Sequence, residues 1–391
     1  MSSAEKLPEI LGFLRSREMA MVHILKRFAR CESPTDSKPA VDHCGRTVAV
    51  EWGKRGAKVE YLPRKDAGNH LRIIWPANPA RPAVICPRPG QILVLGHLDT
   101  VYEAGTIKKM PFRVARGRAF GPGVFDMKGG LVIALFAVDA LVDAAWLPQR
   151  RIVFLWTSDE ETGSKSSREV IEHEARRSAA VLVLEPANGP EGQLKTRRKA
   201  TGTAELVISG RAAHAGLDPR AGVNAVHELA LQAARLMRLN NPRRGITVNP
   251  TIAQGGTRSN VIPAEARLTT DLRAETLADM RRIERKLKTL RPILRGARVA
   301  VTGGFSRPPL ERRASAALFS HARKLAQQLG FSVGECLAGG GSDGNFTAAL
   351  GVPTLDGLGA VGEAPHSPDE QVIISALPER AALLAALLAT L

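Results

Sequence analysis

The chain has 391 residues, 44% hydrophobic and 24% charged, an ordinary globular composition that excludes a wholly disordered, collagen-like or multi-span membrane protein. This length exceeds what one hydrophobic core usually fills, so two domains are expected. The formal net charge of +17 suits either nucleic acid or small acidic molecules. Only two Tyr and four Trp are present, and no RNP-like or helix-turn-helix pattern accompanies the basic residues. Nucleic acid is therefore not the expected partner. No apolar run reaches the roughly 18 to 20 residues that cross a bilayer. The opening MSSAEKLPEI carries Glu and Pro where a signal peptide needs apolar residues. A cytoplasmic protein with no membrane partner is expected. Cys31, Cys44, Cys86 and Cys336 lack CxxC spacing and read as reduced, structural thiols.

In chain order, Ile10, Leu11, Leu14, Met21, Ile24, Leu25 and Phe28 recur at helical spacing, which predicts one amphipathic helix over residues 8–29. The Pro-rich stretch from Pro76 to Pro89 reads as a surface loop or hairpin. Three short apolar runs follow, at 92–95, 152–156 and 181–184. Without polar alternation they suit strands buried on both faces of a mostly parallel sheet. Helical patterns at 130–142 and 167–176 lie between them, so this part is α/β. The pattern changes at Lys199. Strand (203–209), helix (223–239), strand (246–253), strand (266–273), helix (277–294) and strand (298–301) follow. The order βαββαβ is the ferredoxin-like plan. Residues 199–310 hold 19 Lys and Arg against 8 Asp and Glu, an excess of +11. Helices at 318–329 and from Pro378 complete the chain. The predicted organisation is an α/β domain with a second domain inserted in it.

Each apolar run ends beside a candidate metal ligand. Leu95 precedes Gly96-His97-Leu98-Asp99, Trp156 precedes Thr157-Ser158-Asp159-Glu160-Glu161, and Leu184 precedes Glu185-Pro186. In open α/β sheets, sites gather at the carboxyl ends of strands, so these groups are expected to converge. Asp126, in a Gly-rich turn before a helix, and His366, in Ala364-Pro365-His366-Ser367-Pro368, complete the set. Nitrogen and oxygen donors without Cys suit zinc, cobalt or manganese. Taken singly, each has an ordinary explanation: a surface HxD, an acidic helix start at Glu160-Glu161, a turn residue at Asp126. Their joint placement at strand ends favours a metal site.

At these residues the sequence resembles the M20 metallopeptidases. Gly96-His97-Leu98-Asp99-Thr100, the stretch from Gly123 to Gly130 around Asp126, Asp159-Glu160-Glu161-Thr162-Gly163 and Glu185-Pro186 look like that family's signature. The likeness is strongest to its glutamate carboxypeptidase (carboxypeptidase G2-like) branch and runs from about Ile92 to His366. It implies a zinc-exopeptidase-like α/β catalytic domain at 1–198 and 309–391, with a ferredoxin-like lid and dimerisation domain at 199–308. It implies two Zn2+, or Co2+ or Mn2+, bridged by Asp126. His97 and Glu185 would complete one ion's ligands, and Glu161 and His366 the other's. Asp99 would fix the His97 tautomer, and Glu160 would be the general base. A cis peptide between Asp126 and Met127 is also implied.

In the inserted domain, His214 matches a histidine that enters the partner subunit's site of a homodimer to stabilise an oxyanion. Asn260 matches a companion contact. Arg273 and Arg307 match arginines that meet the substrate carboxylate; a strand-end salt bridge is the other reading of Arg273. The Gly-rich stretch from Gly339 to Gly344 resembles a backbone wall beside the substrate. The expected activity is a di-zinc carboxypeptidase that acts on a small acidic peptide, releasing C-terminal glutamate or a similar residue. An N-acyl amino acid deacylase or small-peptide peptidase is the alternative within the superfamily. A catalytically inactive basic binding protein is the alternative from another class.

Overall fold

Apolar runs without polar alternation need a core on each side, and the protein supplies two. In the computed structural model, which describes residues 3–76 and 90–391, strands Gln91–His97, Arg151–Thr157 and Ser178–Val183 lie within a six-stranded sheet. Ile92, Val94, Ile152, Phe154 and Leu182 face a core shared with Leu131 and Leu135 of helix Gly129–Asp143 and Leu384 and Leu388 of helix Ala376–Thr390. Leu93, Leu95, Val153, Leu155, Val181 and Val183 face the other core, with Ile171 and Phe346. Both helices of the first core are apolar around nearly their whole circumference and are enclosed accordingly.

The sheet order is Lys58–Leu62, His70–Trp75, Arg151–Thr157, Gln91–His97, Ser178–Val183 and Thr354–Leu355. The last four strands are joined by parallel pairings. The first two strands add antiparallel pairings, so the sheet is mixed, with three of its five pairings parallel, as the mostly parallel sheet expected from the sequence requires. This hairpin escaped the sequence reading because Lys58–Leu62 is half-exposed and carries no apolar run. The expected loop at 76–89 lies, beyond Pro76, outside the described residues. The expected single helix over 8–29 is two, Ser3–Ser16 and Glu18–Arg30. At the break, Ser16 Oγ donates to Phe13 O at 2.6 Å, a local bond of the kind that bends helices.

The chain divides into two compact units, one of residues 1–196, 312–338 and 342–391, the other of 197–311 and 339–341. The second unit reaches beyond 199–308 because Arg198 and Leu310 exchange backbone hydrogen bonds of 3.0 Å where the chain enters and leaves. Its strands Ala200–Ser209, Thr247–Gly255, Glu265–Ala274 and Arg298–Arg307 alternate with helices Ala225–Met237 and Leu277–Lys288 in βαββαβ order. The sheet is antiparallel throughout, with Ala200–Ser209 and Glu265–Ala274 central. Leu206, Ile208, Leu268 and Leu272 pack on Leu229, Leu236, Ile283 and Leu287 of the helices. Side-chain caps start both helices: Asn224 accepts from His227 N, and Thr276 from Asp279 N.

Candidate metal centre

The parallel register sets His97 opposite Thr157 and Leu95 opposite Val183. The three strands therefore end level, and the turns after them bring His97, Glu160, Glu161 and Glu185 to one edge. Asp126 joins them because two glycines leave room for its turn. A Cβ on Gly96 would lie 2.5 Å from Met127 Cε, and one on Gly130 would lie 2.4 Å from Leu184 O. The Asp126–Met127 peptide is cis, and Met127 Sδ accepts the His97 N–H at 3.2 Å. His366 arrives on a loop where it and Ala364 adopt left-handed backbone, φ +59° and +60°.

His97 Nε2 lies 3.3 Å from Asp126 Oδ1 and 3.7 Å from Glu185 Oε1. His366 Nε2 lies 3.2 Å from the other Asp126 oxygen, Oδ2, and 3.4 Å from Glu161 Oε2. Donor atoms of His97, Glu160 and Glu185 approach within 4.8 Å of one another, as do those of His97, Asp126 and Glu161. Asp99 is buried and touches both sides of the site. Its carbonyl accepts from His97 Nδ1 at 2.9 Å, with its carboxylate 3.4 Å away. The nearer contact is thus the main-chain oxygen; either acceptor keeps the proton on Nδ1 and leaves Nε2 to face the carboxylates. The Asp99 carboxylate accepts the Glu160 and Glu161 N–H groups at 3.3 and 3.2 Å and the Thr35 hydroxyl at 2.8 Å.

These contacts shift the titrations in opposite directions. Burial disfavours charge on His97, yet Asp126 and Asp99 hold its imidazole well above the ordinary value. Asp126 and Glu161 hold His366 up at about 10. Burial would raise Asp126, but the two histidines keep it well below the usual carboxylate range. Burial wins at Glu161, lifting it to about 7. Glu161 Oε1 is also buried without a hydrogen-bond partner. A buried, orphaned oxygen among carboxylates fits a cation, and nitrogen and oxygen donors fit zinc-type metals.

Sequence reading missed the residues that hold this edge in shape. Glu370, fully buried, accepts the Gly123, Phe125 and Asp126 N–H groups at 3.2, 2.7 and 2.9 Å and also the Tyr102 hydroxyl. Its only sequence signal is a carboxylate four residues after His366. His70 binds Ser158 Oγ at 2.8 Å and Ser166 Oγ at 3.3 Å. Asp343 accepts from Thr157 Oγ1 at 3.1 Å and from Ser164 Oγ. Both brace the loop that carries Glu160 and Glu161.

The four residues singled out in the inserted segment form two pairs in the second unit. His214 and Asn260 meet through the Ala215 N–H to Asn260 O bond of 2.9 Å. Gly216 and Leu217 N–H groups donate to His214 Nδ1 at 3.2 and 3.1 Å, so Nε2 carries the proton. Arg273 and Arg307 both sit opposite Thr201, one on each side of the central strand. Arg273 grips Asp271 with bonds of 3.0 and 2.8 Å, the salt bridge of the alternative reading. Arg307 is buried, and a Cβ on Gly341 would stand 3.0 Å from its Cδ. The Gly-rich stretch is shared: Gly339–Gly341 fall in the second unit, and Ser342 onward in the first.

Residues 93–390 match peptidase family M20/M25/M40. The chain is 34% identical over 304 residues to carboxypeptidase G2 of Pseudomonas sp. (strain RS-16), covering 76% of this chain and 73% of that protein. It is 26% identical over 388 residues to succinyl-diaminopimelate desuccinylase of Dechloromonas aromatica (strain RCB), covering 93% and 96%. The aminopeptidase PepT structure from Bacillus cereus ATCC 10987 superposes with a TM-score of 0.79 at 20% identity, over 95% of this chain and 98% of that one. Among the described residues no helix is long and apolar enough to cross a membrane. With histidines and carboxylates gathered at the strand ends and the family match spanning them, the chain belongs to peptidase family M20/M25/M40 and is a metallopeptidase.

Proposed function

We propose that this enzyme is a dinuclear metallo-carboxypeptidase that releases a C-terminal amino acid, glutamate or a similar acidic residue, from a small peptide. The observation that carries the reading is the two-sided placement of Asp126, one oxygen 3.3 Å from His97 and the other 3.2 Å from His366. A carboxylate that addresses two imidazoles through different oxygens suits a bridge between two cations. In this reading His97 and Glu185 hold one cation, and Glu161 and His366 the other. Zn2+ is the metal, with Co2+ or Mn2+ as substitutes. When bound, such ions polarise a carbonyl and lower the pKa of water at the site. Glu160 is the general base: it takes the proton of the attacking water and returns it to the leaving amine. Asp99 orients His97 and, through the Glu160 N–H, the turn that presents the base.

The second unit serves as lid and dimerisation domain. Arg273 and Arg307 sit at the Ala200 end of strand Ala200–Ser209, whereas His214 and Asn260 follow beyond its Ser209 end, in and beside the short pairing of His214 with Val261. A homodimer, in which His214 reaches a partner subunit's site, lets both pairs act on substrate. Nε2–H of a neutral imidazole is the donor an oxyanion needs. Arg307 grips the substrate carboxylate. The thiols Cys31 and Cys44, neither in a disulfide, suit a reducing, cytoplasmic compartment.

The likeness to a desuccinylase over nearly the whole chain favours one second reading, an N-acyl amino acid deacylase. An activity panel of N-acyl glutamates, dipeptides and N-acetyl amino acids, with zinc or cobalt and a metal count, separates the two. The carboxypeptidase reading expects about two metals per chain and preference for C-terminal glutamate. Replacing the terminal carboxylate by an amide should harm the wild type far more than Arg307→Ala, whose K_M is already raised. Equal losses in both enzymes would move the deacylase ahead.

A further inference from the structure

We propose that the second unit carries a separate binding site for a polyphosphate anion, inorganic pyrophosphate or the phosphate chain of a nucleotide. A cavity of about 630 Å³ lies at the Ser209 end of its sheet, lined by Arg211, Arg220, Arg295 and Arg298. No Asp or Glu lines it. The carboxylates nearest in chain or register are Asp218 and Glu265, and Glu265 is taken by Arg267 at 2.8 Å. Among the described residues no carboxylate pairs with Arg220, Arg295 or Arg298.

The positions of these arginines are set by backbone. Arg211 pairs with Val223 across the loop, and its Nε donates to Ala221 O. Arg295 and Gly296 form a turn closed by the Ala297 N–H to Leu294 O bond of 3.2 Å, with Gly296 at φ +88°. Arg298 opens the last strand opposite Ser209. Four guanidinium groups around one cavity repel one another unless an anion answers them. The volume is that of a small-ligand pocket, and guanidinium forks match phosphate oxygens bidentately. No aromatic side chain lines the cavity, so the site reads the phosphates and leaves any base unstacked.

The test is calorimetric titration of the full, metal-loaded chain with pyrophosphate, ATP, orthophosphate and citrate in 0.15 M KCl. The proposal expects one pyrophosphate or ATP per chain, weakened at least tenfold in Arg295→Gln/Arg298→Gln. Arg220→Gln gives the same readout should that double variant be unstable. Arg281→Gln/Arg282→Gln, which removes equal charge from exposed positions of helix Leu277–Lys288, should bind within twofold of wild type. ATP tighter than pyrophosphate assigns a nucleotide; the reverse assigns inorganic polyphosphate. Binding at the metal centre, or chelation of its ions, would be equal in wild type and cavity variants, and equality overturns the proposal. So does citrate or orthophosphate binding as tightly as pyrophosphate.

Discussion

Two carboxylate clusters in the first unit are balanced in opposite ways. Glu51, buried on helix Lys38–Lys54, faces three cations: Arg27 at 2.6 Å, Lys54 at 2.7 Å and Arg55 at 3.0 Å. At the strand ends, Asp126 faces the imidazoles of His97 and His366, and Glu161 faces that of His366. One residue type thus titrates in opposite directions. Glu51 is held down at about 2, because its cations outweigh burial, while burial lifts Glu161 to about 7. The first cluster is electrically complete and belongs to the scaffold. The second leaves Glu161 Oε1 buried without a hydrogen-bond partner, and in the proposed reading two divalent ions would complete it. A salt bridge and a metal centre use the same side chains; whether neighbouring cations or burial sets the titration tells Glu51 from Glu161.

The largest effect should come from a carboxylate whose task is chemical. Glu160→Gln removes the proposed proton acceptor and none of the proposed ligands. Its k_cat should fall by about 10² to 10⁴ while metal analysis still finds both ions. A variant that kept most of its rate would return Glu160 to the ligands and leave the base unassigned. A smaller effect is expected at Glu370, which touches no substrate in this reading and only positions the turn of Asp126. Glu370→Gln keeps the shape but weakens the grip on three N–H groups. Metal affinity should drop by about 10- to 100-fold, with k_cat recovering when metal is supplied in excess. A loss of k_cat that excess metal does not restore would show that Glu370 acts on the reaction itself.

The two clusters were not equally legible in the sequence. His97, Asp126, Glu160, Glu161 and Glu185 announce themselves because each follows a buried apolar run or a Gly-rich turn, and sheet register then aligns them. The βαββαβ order of the second unit is legible for the same reason, since its periodicities are local. Glu370, His70 and Asp343 are not. Each acts across a long sequence separation, on backbone N–H groups or hydroxyls that no local pattern marks. In the hairpin, Lys58–Leu62 carries no apolar run, and Arg72 shortens that of His70–Trp75 to three residues. The cations around Glu51 are hidden in another way. Lys54 and Arg55 lie one turn away, but Arg27 comes from a different helix, and a basic residue in so basic a chain carries no signal.

The smallest effects, and the sharpest contrast, lie in stability against pH. Glu51 has a folded pKa of about 2 against an ordinary 4.5, so its ionised form is favoured by folding. That contribution is complete above pH 4.5 and is lost as pH falls through 2. Allowing for the exposure of Lys54, it is worth about 2 kcal/mol. Glu51→Gln should therefore lower unfolding stability by that amount at pH 7, with the gap closing near pH 2. Glu161 has the opposite sign. In the metal-free protein its folded pKa of about 7 lies above 4.5, so folding disfavours its ionised form, and the penalty grows as pH rises through that interval. Metal-free Glu161→Gln should match the parent near pH 4 and be the more stable of the two at pH 8. Adding metal should reverse the order, because the parent then gains the binding energy of its ions. Chemical denaturation of both variants at three pH values, with and without zinc, reads all of this. If Glu161→Gln proved less stable than the parent at pH 8 without metal, the strand-end cluster would be a self-sufficient ionic network like that of Glu51, and the case for bound cations would lose its electrostatic basis.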